Sequence, residues 1–125
     1  PRDLETGQCV LFRRDTYEKQ TVRLDELTTA IPALLDDIQK TMYQLALDFQ
    51  QAHIHEAHDL DELGKVVDGG FAKAMWCGEQ ACEDEIKEQL TATSRNMPFD
   101  QTPIDDHCVC CGKPAKKLIY FAKAY

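Results

Sequence analysis

Four cysteines in two closely spaced pairs constrain this chain more than any other feature of its sequence. Cys77 and Cys82 form a C-x4-C pair, and Cys108 and Cys111 form a C-x2-C pair further along the chain. A tetrahedral zinc site takes four thiolates, and two short loops can each supply two of them. Gly78 allows the tight turn that the first loop needs. We therefore predict a four-cysteine zinc site.

Length and composition fit a domain from a reducing compartment. The chain has 125 residues, of which 43% are apolar, and it contains six cysteines. We see no secretory signal and no apolar run of the ~20 residues that a membrane span needs. Two cysteine pairs have metal spacing, so bound metal in the cytoplasm is a better interpretation than disulfides. Because the sequence begins at Pro1 without a methionine, we expect it to be a piece of something longer.

The net charge argues against a nucleic-acid-binding surface. It is -8 at neutral pH, and four thiolates with one Zn²⁺ would bring it to about -10. Phosphate backbones are attracted to basic surfaces. The only candidates for a local basic strip are Arg13 with Arg14, and residues 113–117.

Hydrophobic periodicity and turn residues predict an α+β fold, a small mixed β-sheet with helices on one face and the zinc knuckles at one end. A hairpin should open the chain, and Asp59 and Glu62 should cap the second helix. Pro98 suggests that the strand before it lies at an edge. The predicted strands are 8–13, 19–24, 71–76, 93–99 and 116–122, and the predicted helices are 25–53, 59–67 and 79–90.

The first of these helices is strongly amphipathic. Its apolar residues recur at steps of three and four, which predicts that one face is buried on the protein's own sheet. Pro32 should kink this helix or start a second segment. The stripe consists of Leu27, Ile31, Leu34, Leu35, Ile38, Met42, Leu45, Phe49 and Ala52.

Three histidines follow that helix, at positions 53, 55 and 58. Such density invites a second metal site. However, no later histidine or cysteine is paired with them in an obvious spacing, and the four-cysteine pattern already accounts for a metal. We expect a surface loop here.

Longer phrases of the sequence resemble a known family. P-R-D-L-E-T-G-Q, R-R-D-T and L-D-E-L near the start resemble the junction that leaves the anticodon-binding domain of prolyl-tRNA synthetases. G-G-F-A-K-A-M-W-C-G, T-S-R-N-M-P-F-D-Q and C-G-K-P-A-K-K-L-I-Y-F-A-K-A-Y resemble the C-terminal zinc-binding domain of the archaeal/eukaryotic-type enzymes. The resemblance implies that residues 1–24 end the anticodon-binding region with a hairpin, and that residues 25–125 are the zinc-binding domain, in one compact unit overall.

The resemblance also implies a function. Such class II enzymes activate proline with ATP and transfer it to tRNA(Pro), with ATP and Mg²⁺ bound in an upstream catalytic domain. The implied partners are the enzyme's own catalytic and anticodon-binding domains, within a cytoplasmic homodimer. The family's ligand pattern falls on Cys77, Cys82, Cys108 and Cys111, with zinc in a structural role. No residue of this region would be catalytic, although the C-terminal carboxylate of Tyr125 would reach toward the active site.

One departure from the family pattern leaves the fourth ligand open. Cys110 lies between the two expected ligands of the second pair, where the family usually has no cysteine. The C-x2-C spacing from Cys108 favours Cys111, but Cys110 or His107 could replace it. Cys110 could also oxidise with its neighbour when the metal is lost.

Two other functions use the same cysteines. A free-standing zinc-ribbon-like interaction module would need its own beginning, whereas Pro1 looks like chain from the middle of a domain. A dithiol redox enzyme using Cys108 with Cys111 or Cys110 should have its C-x-x-C at the start of a helix. The following G-K-P would break such a helix.

Overall fold

A computed structural model describes residues 5–123. They belong to two compact units, which divide between Phe49 and Gln50. The division predicted from the resemblance, after residue 24, falls inside the first unit. The assignment of residues 1–24 to the end of an anticodon-binding region stays a prediction.

The first unit contains the predicted hairpin. Strands β1 (Gln8–Phe12) and β2 (Lys19–Arg23) pair antiparallel. The Arg13 backbone N–H donates to the Glu18 carbonyl at 2.9 Å and closes the loop. A short 3-10 turn, Leu24–Glu26, then leads into helix α1, Leu27–Ala52.

Arg13 ties this hairpin to α1. Its guanidinium donates to Asp15 at 2.6 and 3.1 Å, to Thr41 at 3.3 Å and also to Asp37. The hydrogen bond from Arg13 lowers the pKa of the Asp15 carboxyl. The charge of Arg13 is therefore paired with carboxylates of its own unit. Of the Arg13–Arg14 pair, only Arg14 stays a candidate for a basic strip.

Helix α1 differs from the prediction in its packing. It continues through Pro32, so no separate helix begins there, and none of its residues is buried. The prediction that its apolar face is buried is therefore met only in part, since Leu34 and Ile38 are half-buried and no residue of the helix is fully buried. Met42, Leu45 and Phe49 are each more than half exposed. An amphipathic pattern indicates a face that needs a partner, and the described part of this unit offers only a two-stranded hairpin.

The second unit has a four-stranded mixed sheet together with helices, which agrees with the predicted α+β class. The strand order is β3-β4-β6-β5, with β3 parallel to β4 and the other pairs antiparallel. β5 lies at an edge, as predicted. The elements are β3 (Ile54–Ala57), α2 (Leu60–Val67), β4 (Phe71–Trp76), α3 (Gln80–Leu90), β5 (Ala92–Asn96) and β6 (Lys117–Lys123).

Strand β3 corrects the prediction of a loop at the three histidines. Ile54–Ala57 pairs in register with residues 71–74 of β4, and Ala57 is buried. Two of the four residues are His and Glu, which gives little local β signal. The strand forms because α2 carries the chain back as a crossover to a parallel neighbour.

Helix α2 begins as predicted. The Asp59 side chain accepts the Glu62 backbone N–H at 2.8 Å, and the Glu62 carboxylate accepts the His58 backbone N–H at 2.9 Å. These two bonds satisfy otherwise unpaired donors at the start of the helix.

Small residues on β4 make room for the core. Ala72 is paired with Phe121 and Ala74 with Ile119 across the β4–β6 ladder, and all four side chains are buried. Because the alanine side chains of β4 are small, the larger side chains of β6 and the apolar residues of α2 and α3 can occupy the space beside them. The helical contribution to this core is Leu63, Val67 and Ile86.

Residues 97–107, in the connection between β5 and β6 (the crossing loop), form hydrogen bonds to β6 and to the residue that follows β3. The Leu118 N–H donates to Gln101 Oε1 at 2.9 Å, and Gln101 Nε2 donates to the Leu118 carbonyl at 3.2 Å. Asp105 Oδ2 lies 3.0 Å from His58 Nδ1, next to the end of β3. The Gln101 amide thus bonds to β6 as a strand backbone would, beyond the point where β5 ends.

Gly70, between α2 and β4, allows its backbone to lie close to the backbone of His53, which precedes β3. A Cβ atom at this position would lie 2.3 Å from the His53 carbonyl oxygen, whereas one at Gly69 would meet nothing within 4 Å. We expect Gly70→Ala to lower the free energy of unfolding by roughly 1–3 kcal/mol, because backbone must shift to admit the methyl group. Gly69→Ala is the matched control, with an expected change within about 0.5 kcal/mol. Urea unfolding of both variants tests this, and equal stabilities would contradict it.

Candidate metal centre

The first cysteine pair lies where β4 turns into α3. Cys77 directly follows β4, and Gly78 takes a positive φ of 89° that permits the turn. Cys82 lies in the first turn of α3, where its backbone N–H donates to the Glu79 carbonyl at 3.1 Å. Helix N-termini favour negative charge, so this is a suitable position for a thiolate.

The second pair lies on a tight turn that is held against the end of β4. The Val109 N–H donates to the Met75 carbonyl at 2.9 Å, and the Gly112 N–H donates to the Cys108 carbonyl at 3.0 Å. Gly112 has a positive φ of 67°. This backbone pairing brings the two loops together, although they are distant in sequence.

The four predicted ligands converge in space. The Sγ atoms of Cys77, Cys82, Cys108 and Cys111 all lie within 4.8 Å of one another. The Sγ–Sγ distances are 3.6 Å for Cys77–Cys82 and 3.8 Å for Cys77–Cys111. Four sulfurs at the corners of a tetrahedron with Zn–S bonds of 2.3 Å would be about 3.8 Å apart. The spacing therefore fits a zinc ion and is far too long for a disulfide bond.

Burial makes this cluster unfavourable without a cation. Desolvation raises the pKa of the Cys77 and Cys82 thiols, and neighbouring thiols raise that of Cys82 further. Cys111 is exposed, and a hydrogen bond from the Lys113 backbone lowers its pKa to about 7. Three of the four cysteines are buried, so holding all four as thiolates requires a compensating positive charge.

The predicted alternative ligand His107 lies outside this cluster. Its Nδ1 is 3.6 Å from Asp105 Oδ1. Cys9, on β1 of the first unit, is not among the four either. Across residues 5–123, the four cysteines are the only group of histidine, cysteine and carboxylate side chains placed to hold a metal ion, so the histidines near β3 form no second site. Tyr125 lies outside the described residues.

Two features of the site were missed by the sequence analysis. Trp76 packs against the buried cysteines, and its position next to Cys77 in W-C-G was the available signal. The hydrogen bond from Val109 to Met75 joins the two loops. It had no sequence signal, because backbone groups pair regardless of side chain.

Comparison with known proteins gives the family. A family model described as "Prolyl-tRNA synthetase, C-terminal" matches residues 60–125. The chain is 56% identical over its whole length to a "Proline--tRNA ligase" of Lachnoclostridium phytofermentans, of which it covers 27%. It is 54% identical, again over its whole length, to a "Proline--tRNA ligase" of Lachnospira eligens, of which it covers 26%. The chain thus spans about a quarter of the length of the curated relatives it matches.

Proposed function

This chain belongs to the prolyl-tRNA synthetase family, as its C-terminal domain, and from this premise we propose that it is a structural zinc-binding region of a proline–tRNA ligase. The full-length enzyme would activate proline with ATP and charge tRNA(Pro). The region described here would stabilise the catalytic domain and carry out no chemistry itself.

The convergence of four thiols is the observation that supports this role. Cys77, Cys82, Cys108 and Cys111 would supply four protein ligands, which leaves no coordination position for water or substrate. A zinc ion held there would supply a cross-link between the two loops and neutralise thiolate charge. The protein itself also joins the two loops, through the backbone hydrogen bond from Val109 to Met75.

Upstream domains would complete the protein. The two strands of the first unit form a sheet by themselves, and an isolated two-stranded hairpin is only marginally stable. The exposed apolar residues of α1 suit burial by further chain. We assign this surface to contact with the enzyme's own anticodon-binding and catalytic domains, with ATP and Mg²⁺ bound in the latter. Residues 1–24 would end the anticodon-binding region, in a cytoplasmic homodimer.

The alternative functions have less support. The matched relatives are about four times as long as this chain, which favours part of a larger enzyme over a free-standing zinc-ribbon-like module. The C-x-x-C of Cys108 and Cys111 lies on a turn and does not begin a helix, in contrast to the arrangement expected for a dithiol redox enzyme. No helix within residues 5–123 is long and apolar enough to cross a membrane.

Metal replacement in the full-length enzyme tests whether the site is structural. We expect Co²⁺ or Cd²⁺ at the four cysteines to leave kcat of prolyl-tRNA formation within about twofold of the zinc enzyme, because a closed site touches no substrate. Each protein is assayed below its melting temperature, so that stability does not limit the rate. A kcat that changes strongly with the identity of the metal would contradict a structural role.

The terminal role of Tyr125 requires a separate experiment. Deleting Tyr125 from the full-length enzyme should slow ATP–pyrophosphate exchange without lowering the melting temperature, if its carboxylate reaches the active site. Replacing Tyr125 by Phe keeps that carboxylate and is the matched control. Normal exchange by the deletion variant would remove this proposed role.

A further inference from the structure

A fifth cysteine lies next to the four-thiol cluster without belonging to it. Cys110 is half-buried and packs against the buried cysteines of the cluster. Cys110 therefore faces the ligands from within the same turn that carries Cys108 and Cys111.

The ligand beside it is the least protected of the four. Cys111 is exposed, whereas Cys77, Cys82 and Cys108 are buried. A thiol reagent from solvent can reach Cys111 before the others. Gly112, which follows it, has no atom within 4 Å of the position that a Cβ would occupy.

We propose that Cys110 is a reserve zinc ligand that replaces Cys111 when Cys111 is removed or chemically modified. The bond between the metal and the Cys111 sulfur breaks, and the Cys110 thiol releases its proton to solvent as its own sulfur binds the metal. The site then keeps four thiolates. This inference rests on the proposed zinc site and adds a role for a residue outside the ligand set.

His107 is the competing donor, and the structure disfavours it. Its side chain is 66% exposed, and its Nδ1 lies 3.6 Å from Asp105. The backbone of His107 also forms a β-bridge with Pro114. Cys110, in contrast, already packs against the cluster that the three buried ligands form.

Cobalt spectroscopy tests the exchange, because Co²⁺ reports how many thiolates bind it. The variants are C111S, C110S, C110S/C111S and C111S/H107A, each titrated with Co²⁺ under reducing conditions. We expect C111S and C111S/H107A to keep a four-thiolate spectrum, and the double cysteine variant to show one thiolate fewer. Its affinity for Co²⁺ should be lower than that of C111S on the order of 100-fold. The variant C110S should match the wild type.

The outcomes separate this inference from the proposed zinc site. A wild-type chain that binds no Co²⁺ contradicts both. A wild-type four-thiolate spectrum, together with equal spectra and affinities for C111S and the double variant, overturns the role of Cys110 alone. A loss of the fourth ligand in C111S/H107A but not in C111S would assign the reserve role to His107 and also overturn the proposal.

A second measurement avoids substitution at Cys111. Limited reaction of the zinc-loaded wild type with iodoacetamide forms a thioether at the exposed Cys111 thiolate and releases iodide, while Cys110 loses its proton to solvent as its sulfur binds the zinc. Mass spectrometry should then find chains with Cys111 alkylated and zinc retained. In C110S the same modification should release zinc. Release of zinc with the first alkylation in both proteins would contradict the reserve role.

Discussion

Replacement of Cys82 by serine is expected to abolish metal binding and to unfold the second unit at temperatures where the wild type is folded. Cys82 is buried, and its Sγ lies 3.6 Å from that of Cys77. A serine hydroxyl binds zinc far more weakly than a thiolate and is left buried without its metal partner. We expect a loss of roughly 5 kcal/mol or more, which is comparable with the whole stability of a small domain.

Calorimetry of the zinc-loaded chain, with metal content measured by native mass spectrometry, checks this expectation. Cys9→Ser is the matched control, because Cys9 lies on β1 of the first unit, outside the cluster. We expect that variant to keep one zinc per chain. A Cys82→Ser variant with an unchanged melting temperature would rule out a structural metal.

Replacement of Phe121 by alanine is expected to have the second largest effect. Phe121 is 0% exposed and is paired with Ala72 in the middle of the sheet. Truncation leaves a cavity that the small neighbour Ala72 cannot fill. The expected loss in the free energy of unfolding is about 3–5 kcal/mol.

Phe99 provides the matched control for this substitution. Its side chain is fully exposed on the crossing loop, so Phe99→Ala should change the stability of the chain by no more than about 0.5 kcal/mol. Urea unfolding of both variants, with zinc present throughout, gives the comparison. Similar losses for Phe121→Ala and Phe99→Ala would contradict the described core.

Much of the second unit could be predicted from local signals. The Asp59 cap predicted where α2 begins, and the apolar stretch of residues 71–76 predicted β4. Gly78 predicted the turn that follows β4. The convergence of the four cysteines was likewise predicted, because zinc restricts both ligand type and ligand spacing. For the cap, the strand and the turn, the information lies within a few residues of the element it specifies, whereas the two distant cysteine pairs are linked by the ligand chemistry they share.

The missed features depend on partners that are distant in sequence. Strand β3 is a strand because β4 pairs with it, and residues such as His55 and Glu56 gave no local reason to expect one. For α1, the periodicity correctly indicated a helix with an apolar face. It could not show which part of the protein covers that face, because periodicity describes one segment only.

The hydrogen bond between Leu118 and Gln101 has a consequence for hydrogen exchange. Leu118 belongs to β6, but its amide proton is held by a side chain of the crossing loop at 2.9 Å. Its exchange with solvent deuterium should therefore follow the opening of that loop, while amides bonded between β4 and β6 exchange only when the sheet itself opens. A single amide in an inner strand thus records the local dynamics of a surface segment.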